Sequence, residues 1–124
     1  MATLLPFAAW RPPADLSAEI ASVPYDVIDT TEAIALAADK PRSFLHVIRP
    51  EIDLPVGTDL HADEVYDQAR RTLLRFLAEI PYQTADAPEL FVYRLVRNGR
   101  PQVGVVGVCS GDEYDDGRIA VHER

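Results

Sequence analysis

Blocks of apolar residues, most of them closed by proline, set the rhythm of this chain. Leu4 to Trp10 is an apolar run broken at Pro6, which reads as a strand with an edge or irregular start, since proline cannot donate to a ladder. After Arg11-Pro12-Pro13, the positions Leu16, Ile20 and Val23 fall at i, i+4 and i+7 and predict a short helix over Asp15 to Ser22. Pro24 ends it, because the residue before proline avoids the α region. Asp29-Thr30-Thr31-Glu32 has the spacing of a capping box, so a second helix starts there, runs to about Asp39 and stops before Pro41. Ser43 to Ile48 is mostly apolar with one histidine and reads as a buried strand, followed by a loop over Pro50 to Asp59. The longest element spans roughly Leu60 to Ile80, where Val65, Ala69, Leu73, Phe76, Leu77 and Ile80 make one helical stripe. Asp67, Arg70, Arg71 and Arg75 lie elsewhere on that wheel and read as a solvated face.

The pattern then changes period. Glu89 to Arg97 reads as a strand, Asn98-Gly99 as a hairpin turn because both residues tolerate positive φ, and Gln102 to Cys109 as the return strand. Pro101 beside the turn leaves room for a longer loop. Gly104 and Gly107 inside the return strand imply a bulge or a close approach by another backbone or a ligand. A polar turn over Ser110 to Gly117 leads to a last short strand, Arg118 to Val121. Helices first and a meander afterwards indicate an α+β domain with a mixed, mostly antiparallel sheet. The hairpin should lie at its heart and the long helix on one face. Val65, Leu73, Phe76, Leu77, Ile80, Val92, Val105 and Val106 are the expected core.

At 124 residues the chain is one domain's worth, and 48% hydrophobic with 26% charged residues places it among globular proteins. The 12 basic residues against 20 acidic ones give a net charge of −8, which opposes binding to a nucleic-acid backbone but leaves a small phosphate ligand in a local pocket open. The single cysteine, Cys109, excludes an intrachain disulfide and fits a reducing compartment. It ends an apolar run and reads as a small core residue, with a reactive thiol as the other reading. No stretch approaches the ~18 apolar residues of a membrane span, so no membrane association and a cytoplasmic location are expected.

No glycine-rich phosphate loop, zinc motif or nucleophile elbow is present. The acidic group Asp112, Glu113, Asp115 and Asp116 lacks the distal glutamate of a calcium loop and reads as a solvated turn. His61 precedes a helix and reads as surface. His46 is either a satisfied structural residue or one that reaches a site at a strand's end. Arg49 beside it is either in a surface ion pair or a planar fork gripping a phosphate or carboxylate. Tyr25-Asp26 sits in a non-repeating loop, where catalytic groups concentrate, though Asp26 could equally cap the next turn. His122-Glu123-Arg124 combines an acid/base group, a carboxylate and a cation in a cluster that stops directly after a strand, as a cut chain would.

Taken together, Pro6-Phe7-Ala8-Ala9-Trp10-Arg11-Pro12, Val23-Pro24-Tyr25-Asp26-Val27-Ile28 and Ser43-Phe44-Leu45-His46-Val47-Ile48-Arg49-Pro50-Glu51 resemble the N-terminal part of the bacterial and archaeal domain of unknown function 1015 family. Val92-Tyr93-Arg94, Gly104-Val105-Val106-Gly107 and His122-Glu123 continue the likeness over nearly the whole chain. The resemblance implies a ParB/sulfiredoxin-like fold, a superfamily that includes free-serine kinases, and a longer protein of which this is the front half. It implies that the whole protein transfers phosphate to a small hydroxyl compound from a nucleotide or similar donor, ATP or ADP with Mg. Its partners would be that small-molecule substrate and the missing C-terminal half. The family's Asp-Gly-His-His-Arg motif is absent here, so this chain alone is expected to be inert. On this reading Asp26, His122 and Glu123 are the candidate catalytic residues, Tyr25, His46 and Arg49 the candidate substrate or phosphate contacts, and no protein-held metal is expected. The alternative is a non-catalytic nucleotide-binding or interaction module.

Overall fold

In the computed structural model residues 2–119 are described. The chain divides into two compact units, Arg11–Gln83 on the one hand and Met1–Trp10 with Thr84–Arg124 on the other. The two-residue strands β1 (Trp10–Arg11) and β2 (Gln83–Thr84) mark the two places where the chain passes from one unit to the other. Helices and short antiparallel ladders together make an α+β protein, as expected.

The 11–83 unit is helical. It holds α1 (Ser17–Ile20), α2 (Thr30–Ala37), α3 (Leu45–Ile48), a 3₁₀ turn at Pro50–Asp53 and α4 (Asp63–Glu79). The capping box opens α2 as the sequence predicts: the Asp29 carboxylate accepts from the Glu32 N–H at 2.8 Å, and the Glu32 carboxylate accepts from the Asp29 N–H at 2.9 Å. Asp63 and Glu64 in the first turn of α4 complement the positive end of its dipole. Ile20, Phe76 and Ile80 form the core, with Leu16, Phe44, Val47 and Tyr82 packed against it.

The run Ser43 to Ile48 is a helix and not the expected strand. A short apolar run carries no usable period, and here tertiary burial decides. Helical winding places Phe44 and Val47 three apart against the core and buries Leu45, and the Phe44 N–H donates to the Ile20 carbonyl. The long helix packs as expected through Val65, Phe76 and Ile80, but Leu73 and Leu77 are exposed and Thr72 is buried in their stead. The buried stripe is therefore rotated from the one the apolar residues alone would select.

In the other unit, β3 (Phe91–Arg97) and β4 (Arg100–Val106) form a two-stranded antiparallel hairpin. Arg97 pairs with Arg100 across a two-residue Asn98-Gly99 turn in which both residues have positive φ, so Pro101 does not lengthen the loop. The expected N-terminal strand is reduced to two bridges, Leu5 with Val108 and Phe7 with Glu89. Phe7 and Phe91 stack at a tilt with centroids 5.1 Å apart. Gly107 is the close approach that the glycines imply: a Cβ there would lie 2.8 Å from the Leu5 carbonyl oxygen, whereas Gly104 faces open space. Val92, Val105 and Val106 are exposed and not core. Cys109 is exposed as well. The expected polar turn after it contains α5 (Gly111–Asp115), held by the buried Glu113 carboxylate, which accepts from the Thr3 N–H at 2.8 Å and the Thr3 hydroxyl at 3.1 Å. Arg118 and Ile119 are not strand, and the rest of the expected last strand lies outside the described residues.

Candidate functional site

Residues 45–53 wind as two short helical turns in succession, and this winding sends their polar side chains into two separate clusters of the 11–83 unit. One gathers around Arg49. Its Nε lies 2.8 Å from Glu51 Oε1, a close ion pair in which the N–H is not aimed for a hydrogen bond. Its Nη2 donates to the Thr30 hydroxyl at 3.0 Å and its Nη1 to the Tyr25 carbonyl at 3.3 Å. Arg49 thus tethers the turn that carries Tyr25 and Asp26, and two of the expected contacts, Tyr25 and Arg49, come together. The ion pair is largely buried, contrary to the surface pair that the sequence also allowed.

His46 belongs to the second cluster. With the strand reading gone, its face is set by helix geometry. Nδ1 lies 2.9 Å from both carboxylate oxygens of Asp53, and Nε2 lies 3.2 Å from the Lys40 carbonyl. Both of these partners are acceptors. Alongside stand Gln68, Arg71, Thr72 and Arg75, at i, i+3, i+4 and i+7 on one face of α4, and the group lines a cleft of about 360 Å³. Arg71 donates to the Gln68 amide oxygen at 2.8 Å, and Gln68 donates to the Thr72 hydroxyl at 3.3 Å. The Arg75 guanidinium lies 5.3 Å from the Phe76 ring centroid. Two guanidinium groups against one carboxylate make this cleft positive within a chain of net charge −8.

Arg71 and Arg75 are exposed, in keeping with the solvated face read from the sequence, while no motif in the sequence singles out Asp53, Gln68 or Thr72. The available signal was the second stripe of polar residues at helical spacing, but its convergence on His46 depends on tertiary packing. Of the remaining candidates, Asp26 lies in the turn tethered by Arg49, while His122 and Glu123 lie outside the described residues. Among the described residues no three His, Cys, Asp or Glu side chains come together as a metal site. None of the helices described is long and apolar enough to cross a membrane.

Residues 4–124 match the family model described as protein of unknown function, DUF1015. No curated protein and no solved structure matches the chain.

Proposed function

This chain belongs to the DUF1015 family, and from that premise we propose that it supplies the phosphate-binding part of a small-molecule phosphotransferase of ParB/sulfiredoxin-like type. The observation that carries the reading is the convergence of Arg71, Arg75 and the His46–Asp53 pair on one cleft. Guanidinium forks match phosphate oxygens, and a cationic cleft favours the charge that spreads over a phosphoryl group in transfer. His46, with its ring nitrogens against Asp53 and the Lys40 carbonyl, stiffens the wall of the cleft. Arg49, by holding the Tyr25 carbonyl, positions the turn in which Asp26 is the candidate base. The donor class is a nucleotide.

Titration calorimetry with ADP and with inorganic phosphate tests this. Arg71 and Arg75 are exposed, so their replacement leaves the core intact. Charge-assisted hydrogen bonds contribute about 1.5–3 kcal/mol each, so Arg71→Ala and Arg75→Ala should each weaken ADP binding by about tenfold or more. Equal affinity in the double variant would sink the phosphate reading.

A further inference from the structure

The Glu51 carboxylate presents a different chemistry. Its side chain is only 8% exposed, yet it lines a cavity of about 340 Å³, in the size range of small-molecule sites. Its polar contacts among the described residues reach one oxygen: Arg49 Nε lies 2.8 Å from Oε1, and the Thr30 hydroxyl donates to the same atom at 3.5 Å. Oε2 is left for another donor. The Thr58 hydroxyl, which also lines the cavity, donates to the Pro55 carbonyl at 2.7 Å and keeps its lone pairs for accepting. Thr31 adds a second hydroxyl, and Ile34 and Leu54 supply an apolar wall.

Charge narrows the ligand. Glu51 is the charged residue of the lining, and Arg49, outside the lining, already pairs with it at 2.8 Å. An entering carboxylate or phosphate would meet the Glu51 carboxylate, and an entering ammonium would meet a carboxylate whose charge Arg49 already balances. Neither ion gains a full compensating partner, and unpaired charge in a recess is costly. A neutral hydroxyl group loses nothing on either count: it donates to Glu51 Oε2 and accepts from a threonine hydroxyl, while its carbon chain lies on Ile34 and Leu54. We propose that this cavity is a binding site for a small neutral alcohol or diol bearing a short apolar chain. The inference concerns binding alone and uses none of the residues of the phosphate cleft, so either can fail without the other.

The probe is 1,2-butanediol, followed by amide chemical shifts in the full chain, with butylammonium and butyrate as charged counterparts of similar size. The diol should give saturable shifts confined to amides around Thr30, Thr31, Glu51 and Thr58, and the two ions should not. Because Glu51→Gln would leave Arg49 buried without its partner and could unfold the unit, two milder variants carry the test. Ile34→Trp fills the cavity without touching the ion pair and should weaken the diol at least fivefold. Thr31→Val removes one hydroxyl at constant shape and should weaken it by a smaller factor. Absence of saturation, equal shifts from all three compounds, or an unchanged Ile34→Trp variant would each overturn the proposal.

Discussion

Phe76 is only 1% exposed, and its burial against Ile20 and Ile80 was readable from spacing alone, because a helical stripe needs no knowledge of the partner. Phe76→Ala should destabilise the protein by about 3–5 kcal/mol in urea denaturation, the range for emptying a buried aromatic site. Asp116 is a contrasting case. The Arg118 side chain hydrogen-bonds to it, Nε donating at 2.7 Å, and this holds the Asp116 carboxyl below its ordinary value. A carboxylate whose folded pKa is depressed contributes stability above its unfolded pKa and loses it as pH falls through the folded one. NMR titration should therefore show Asp116 protonating below the usual aspartate range, and Arg118→Ala should return it upward. The exposure of the pair keeps the stability effect small. The site residues divide along the same line. Tyr25 and Arg49 could be singled out by type and setting, but nothing local reveals that Arg71 and Arg75 share a cleft with His46.

At the scale of elements, local chemistry was legible where it closes on itself. The capping box of α2 and the Asn98-Gly99 turn are each written in a few consecutive residues. The failure at α3 is of another kind, since four apolar residues in a run of six suit a strand or a helix turn and only packing on Ile20 and α4 chooses. The hairpin shows a third limit. Its register places Val92, Val96, Val103 and Val105 on one face, and Phe91, Tyr93, Leu95 and Val106 on the other. With both faces apolar, alternation cannot say which is buried, and Val92 and Val105 stand 74% and 61% exposed. Val103→Thr and Val105→Thr should accordingly each shift the stability of this chain by less than about 0.5 kcal/mol, the range for surface substitutions away from special features. A loss of the core-residue size on urea denaturation would show that these valines are covered in solution.

On the scale of the whole molecule, the α+β class was legible from the order of elements, while the division into two units was not. The chain's halves do not announce a boundary in composition, because the smaller unit is assembled from both sides of the larger one. That interruption has a consequence during synthesis. The Arg11–Gln83 segment is contiguous and has its helices and core in hand once Gln83 has been made. Thr3 must wait for Glu113, 110 residues further on. At translation rates of about 5–20 residues per second, that delay amounts to roughly 5–20 s per nascent chain. Over that interval Leu5 and Phe7 have no Val108 or Glu89 to pair with, so residues made before the larger unit find their place only after it.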